Sequence, residues 1–138
     1  MTLGEKQRLF TRLLANLIAW AYGQGYEISV GEAWRTDEQA EINAMGPWGR
    51  ERVAAFIEDL WPVFAAKLRN NAGSGIRNSL HERRLAMDLN LFKGGALLTK
   101  AEDYEPLGVY WESLDPQCCW GGRFSDADHF SITDGGQR

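Results

Sequence analysis

Ser79-Leu80-His81-Glu82-Arg83-Arg84-Leu85-Ala86-Met87-Asp88-Leu89-Asn90-Leu91 holds one of the two histidines of the chain, with an aspartate seven residues on inside an apolar run. The other histidine lies in Asp126-Ala127-Asp128-His129-Phe130. Two histidines and an aspartate with further carboxylates nearby match the ligand count of an open, catalytic Zn site, which takes three protein groups and one water. The spacing of the first pair restricts the backbone. On one helix His81 and Asp88 would stand about 10.5 Å apart along the axis, too far for ligands that each lie about 2 Å from one ion. On one straight strand an odd separation points them to opposite faces. The chain must therefore change conformation between them. His81 is expected on a loop and Asp88 on the strand that follows, with Ala86, Asp88 and Asn90 toward the site and Met87, Leu89 and Leu91 toward the core.

Upstream of this stretch, Asn70 to Gly75 reads as a polar, glycine-containing loop that delivers Ser79 and His81. Before it, Val53, Ala54, Phe56, Ile57, Leu60, Trp61, Phe64 and Leu68 form an amphipathic run, in which Pro62 predicts a kink or a helix end. Gly46-Pro47-Trp48-Gly49 breaks the chain ahead of that run. Arg35-Thr36-Asp37-Glu38-Gln39 predicts a helix start with Thr36 as N-cap and Gln39 at N3. Arg35 is then held at a strand-to-helix junction from which a guanidinium can reach a cleft; a surface pair with Glu32 or Glu38 is the plainer alternative. Tyr26 to Arg35 reads as a strand or hairpin, with Ile28 and Val30 alternating before Gly31. Thr2-Leu3-Gly4-Glu5 has the form of a capping box. Leu9, Phe10, Leu13, Leu14, Leu17 and Ala21 follow at helical spacing, and Gly23 and Gly25 end that helix.

Downstream, Lys93-Gly94-Gly95 is a turn and Leu97-Leu98 begins a paired strand. Pro106 and Gly108 argue against one continuous helix over Ala101 to Leu114, which reads as short turns. Trp120-Gly121-Gly122, just ahead of the second histidine motif, suggests backbone brought close to a ligand, with a plain turn as the alternative. His129 to Ile132 is the last strand and Asp134 to Arg138 a frayed tail.

The whole chain reads as one domain, 1–138, with its core about 26–132 and the N-terminal helix 2–22 packed on it. A formal charge of −4 with scattered Lys and Arg gives no electrostatic case for nucleic acid. No apolar run approaches membrane-spanning length. Lys6, Arg8 and Arg12 interrupt the apolar positions of the N-terminus, so no signal peptide is expected. Cys118 and Cys119 are adjacent, which suits neither a metal knuckle nor a disulfide framework; both are expected as reduced, incidental thiols.

Several catalytic motifs fail. Position 85 is Leu where the zincin H-E-x-x-H helix needs His. A nucleobase deaminase needs H-x-E and P-C-x-x-C, but position 83 is Arg and Pro116-Gln117-Cys118-Cys119 lacks the spacing. Neither G-x-S-x-G nor a P-loop occurs. A set of two histidines and a carboxylate also suits Fe(II) in an oxygenase. Two features favour Zn hydrolysis: Asp126, three residues before His129, can stand beside a metal-bound water, and Arg35 can stabilise an oxyanion or bind a carboxylate.

Ser79-x-His81-x(6)-Asp88, together with Asp126-x-x-His129-Phe130 and the preceding Trp120-Gly121-Gly122, resembles the VanY/DD-carboxypeptidase family of zinc peptidases. That family includes D-alanyl-D-alanine carboxypeptidases and the L-alanyl-D-glutamate endopeptidases of phage endolysins. The resemblance runs from about Ile28 to Ile132. It implies an α+β fold of the hedgehog/DD-peptidase kind, a small antiparallel sheet flanked by helices. It implies Zn²⁺ on His81, Asp88 and His129, Asp126 as catalytic base, and Arg35 ahead of the helix carrying Gln39 as an oxyanion or substrate group. Ser79 would support the first ligand from behind. The implied substrate is the peptide stem of bacterial peptidoglycan, cut by a monomeric endopeptidase or, alternatively, a carboxypeptidase. A non-catalytic wall- or metal-binding module is the reading from another class. The implied setting is a phage lysis enzyme made in host cytoplasm and released to the wall. Two positions depart from the pattern: Arg84 stands where the family often has Gly, and Asp128 where it often has Pro or Asn.

Overall fold

The computed structural model describes residues 1–71 and 78–137. Helix α1 spans Leu3–Gly23 and is followed by strand β1, Tyr26–Val30. Helices α2 (Asp37–Ala44), α3 (Gly46–Ile57) and α4 (Pro62–Arg69) come next. Strands β2 (Ala86–Lys93) and β3 (Ala96–Leu97) precede helix α5 (Ala101–Leu114), then β4 (Cys118–Trp120), a 3₁₀ turn over Gly121–Phe124, and β5 (His129–Ile132). The fold is α+β, one antiparallel sheet in the order β1-β2-β5-β4 with β3 also paired to β2.

The start of α1 is the capping box expected of Thr2 and Glu5: Thr2 Oγ1 accepts from the Glu5 amide while the Glu5 carboxylate accepts from the Thr2 amide. Its apolar stripe, Phe10, Leu13, Leu17 and Ala21, is buried in one core with Leu85, with Leu89 and Leu91 of β2 and with Phe130 and Ile132 of β5. The Leu89/Leu91 alternation holds, but Ala86 is fully buried and belongs to the core rather than lining a cleft. Strand β1 stops at Val30, short of Arg35, although two further bonds extend the pairing: Gly31 N donates to Asp88 O and Asp88 N to Glu32 O, both at 2.8 Å.

The segment Ala101–Leu114, expected as short turns, is one helix. Pro106 lies on the exposed side of it, where the carbonyl it leaves unbonded can face solvent, while Tyr104, Leu107, Gly108 and Trp111 bury a stripe at helical spacing. Trp111 is fully buried and its indole N–H donates to the carbonyls of Cys119 (3.2 Å) and Ser131 (3.0 Å), tying α5 to β4 and β5. A Cβ on Gly108 would come within 2.1 Å of the Trp120 ring, so this helix residue is glycine because an indole lies against it.

Gly46 does not open a long break; at φ +70° it passes the chain from α2 into α3 through Met45 alone. Pro62 marks a true helix boundary, being the first residue of α4. Only part of the expected apolar face is covered. Ala54, Ala65 and Leu68 form a small separate core with Ile42, Ile57 and Phe64, whereas Phe56, Leu60 and Trp61 stay exposed. The polar loop expected over Asn70 to Gly75 lies outside the described residues from 72 onward. At the other end Asp134 is not frayed, since Lys6 Nζ and Arg83 Nη1 each bind its carboxylate at 2.7 Å.

Candidate metal centre

His81 sits in the turn that follows Ser79, and Asp88 on β2, the loop-then-strand arrangement that a separation of seven residues requires. The turn is fixed from within. Ser79 N donates to Glu82 Oε2 at 2.6 Å, Arg84 N to His81 O at 3.1 Å, and Leu85 N to Leu80 O at 2.9 Å. Arg84 takes φ +57° at its exit. His129 arrives from β5 as the direct cross-strand partner of Asp88, which places both side chains on one face of the sheet.

The three side chains converge. His81 Nε2 lies 3.1 Å from His129 Nδ1 and 3.3 Å from Asp88 Oδ1, and His129 Nδ1 lies 3.1 Å from Asp88 Oδ1. Ligand atoms about 2.0–2.1 Å from a tetrahedral Zn stand about 3.3 Å apart, so this triangle has the size such an ion needs. The donor chemistry fits as well: two imidazole nitrogens and one carboxylate oxygen leave a fourth position to solvent. Both histidines are buried. Burial pushes the Asp88 carboxyl up, but hydrogen bonds from His129 and His81 outweigh it and hold Asp88 well below the ordinary carboxylate range.

Beside this triangle opens a cleft of about 540 Å³, lined by Asn90, Leu97, Leu98, Thr99, Ala101, Tyr104, Gly122, Ser125, Asp126, Ala127 and Asp128. Asp126 Oδ2 is 4.0 Å from His129 Nδ1, with more than half of the side chain open to solvent. Its backbone is clamped by bonds from Asp126 N to Gly121 O (3.0 Å) and from His129 N to Asp126 O (3.2 Å). Asp128 is half-buried in the same cleft. Burial, the charge of Asp88 and the nearby Asp126 push its carboxyl above the usual range.

No protein-family model and no curated protein matches this chain. Solved structures do. A mutant of the vancomycin-resistance D,D-pentapeptidase VanY from the VanB-type resistance cassette, in complex with Zn(II), aligns with a TM-score of 0.49 at 17% identity, over 91% of this chain and 71% of that one. VanYB in complex with D-alanine-D-alanine aligns with a TM-score of 0.44 at 17% identity, over 91% of this chain and 70% of that one. What the site can do here is decided by the side chains of this chain.

The remaining residues singled out in the sequence fall at different distances from the triangle. Trp120 and Gly121 support its far side. The Trp120 indole donates to Ala127 O at 2.7 Å, and a Cβ on Gly121 would come within 2.1 Å of Asp126 O and 2.7 Å of His129 Cβ. The close approach at Gly121 is therefore to the chain's own second histidine turn. Ser79 is buried and its hydroxyl has no hydrogen-bond partner among the described residues. Gln39 is exposed. Its backbone N–H donates to the N-cap hydroxyl, Thr36 Oγ1, while its side chain donates to Asn43 Oδ1 at 2.7 Å. Arg35 is clasped by Glu32, Nε to Oε1 at 2.9 Å and Nη2 to Oε2 at 2.5 Å, with 11% of its side chain exposed. That pairing raises the guanidinium pKa, burial opposes the rise, and the charges of Asp88 and Glu82 add to it. Glu32 is the residue that sequence reasoning treated only as a surface partner. The signal was its place just after β1, where the strand runs on past Asp88.

Proposed function

We propose that this chain is a zinc-dependent peptidase that hydrolyses an amide bond in the stem peptides of bacterial peptidoglycan, and that it acts as an L-alanyl-D-glutamate endopeptidase. The observation that carries the reading is the convergence of His81 Nε2, Asp88 Oδ1 and His129 Nδ1 within 3.3 Å of one another, beside a cleft that holds Asp126. Those three atoms would hold the ion, which when bound supplies Lewis acidity toward a carbonyl and a nucleophile at neutral pH. Asp126 is the carboxylate placed to take the proton of an attacking water at Oδ2 and return it to the leaving amine. Leu97, Leu98 and Tyr104 give the cleft an apolar wall for a peptide segment.

The choice of bond rests on charge. The cleft lining carries two carboxylates, Asp126 and Asp128, and no Lys or Arg. A substrate's terminal carboxylate placed there meets like charge and no pairing cation, which tells against an exopeptidase; the α-carboxylate of D-glutamate beside an L-alanyl-D-glutamate bond has to point out of the cleft, or be amidated, for that bond to be cut. Arg35, the nearby cation named from the sequence, is already occupied by Glu32. Mass spectrometry of muropeptides after digestion of purified wall tests the reading. The expected product has a stem beginning at D-glutamate; loss of a single D-alanine would make the chain a carboxypeptidase, and an uncut wall with Zn bound would make it a binding module. The phage-lysis setting implied by the sequence resemblance belongs to the same proposal: cells expressing the chain should lyse only once their membrane is permeabilised.

A further inference from the structure

We infer that Glu32 is a positioning residue for the candidate centre, its Arg35-held carboxylate standing as the negative charge that faces His81 Nδ1 and favours the ring orientation that presents Nε2 to an ion; this rests on the metal reading above. With Nε2 turned toward Asp88 and His129, the other nitrogen of His81, Nδ1, is buried and has no hydrogen-bond partner among the described residues. An imidazole that gives one nitrogen to a metal keeps its proton on the other, and that N–H seeks a carboxylate or carbonyl. Glu32 Oε2 stands 3.9 Å from His81 Nδ1, about 1 Å beyond hydrogen-bonding distance. The same oxygen is held by Arg35 Nη2, and Oε1 by Arg35 Nε, so the carboxylate is aimed rather than free to rotate. The backbone of Glu32 acts on a second ligand, its carbonyl accepting from Asp88 N at 2.8 Å. One residue thus holds the backbone of one ligand, faces the free nitrogen of a second and pairs with the neighbouring guanidinium.

The test uses the full chain and Zn(II) alone, titrated against a competing chelator, with the Co(II) absorption spectrum as a report on ligand geometry. Glu32→Ala should weaken Zn binding about 10- to 100-fold and shift the Co(II) bands, with far-UV circular dichroism unchanged. Glu32→Gln keeps an oxygen facing the imidazole but not the charge and should recover only part of the affinity. If Glu32→Ala fails to fold, Glu32→Asp, which withdraws the carboxylate by one methylene, should show a smaller loss in the same direction. Wild-type affinity and unshifted bands in Glu32→Ala, or in Glu32→Asp if that variant carries the test, overturn the inference and leave the metal reading standing. A wild-type chain that binds no Zn overturns both.

Discussion

At the scale of single residues, the candidate centre separates groups that would hold an ion from groups that would move a proton. His81→Ala and His129→Ala each remove one corner of the three-atom set, so elemental analysis should find Zn lost from both variants. Asp126→Ala should keep its Zn while activity on wall falls about 10²- to 10⁴-fold, the usual cost of losing a general base. If Asp128→Ala abolished turnover and Asp126→Ala did not, the base would be the other carboxylate of the cleft. A different residue reports on the core. Burial, helped by the charge of Asp115, pushes the Cys118 thiol up to about 12. Its folded pKa is raised above the unfolded value of about 8.5, so its contribution to stability is intact below that pH and is lost as pH rises toward 12. Native protein at pH 8 should therefore react slowly with an alkylating reagent at Cys118, and unfolded protein quickly.

At the scale of elements, the helices and strands follow from different kinds of information. The capping box and apolar stripe of α1 were legible because every signal lay within a turn or two of its effect. The loop-then-strand path from His81 to Asp88 was legible because metal coordination tolerates so few geometries. Helix α5 was misread. Pro106 is a local argument against a helix, and it lost to the tertiary burial of Leu107 and Trp111, which no window of sequence contains. Glu32 was missed for a related reason: its importance comes from β1 lying against β2 and appears only once those strands pair. The turn between β4 and β5 offers a test at this scale. Gly121→Ala drives a methyl into Asp126 O and toward His129 Cβ, and should destabilise the fold by about 1–3 kcal/mol, read as a lower Tm, with weaker Zn binding as the turn moves.

At the scale of the molecule, two bodies of apolar residues are joined by the chain but packed separately. The large core gathers α1, α5 and the sheet, while α3 and α4 close over Ala54, Ala65 and Leu68, a small cluster among the described residues, and leave Phe56 and Leu60 more than four-fifths exposed. Sequence patterning marked those residues as apolar but could not say which of them anything covers. Phe56→Ser should change stability by less than about 0.5 kcal/mol. Amides of α3 and α4 should exchange with solvent before those of β2 and α5, because fewer buried contacts hold them closed.

The direct pairing of Asp88 with His129 across β2 and β5 has a consequence for how the chain folds. In an antiparallel ladder a slip of one residue turns every side chain of a strand to the opposite face. Slipped strands can still bury much apolar surface, since Met87, Leu89 and Phe130 lie close by, but they cannot bring an imidazole and a carboxylate to the same point. An ion bound there rewards one alignment alone and acts as a proofreader of strand pairing, so refolding with Zn(II) present should yield fewer misaligned, aggregation-prone chains than refolding in a chelator.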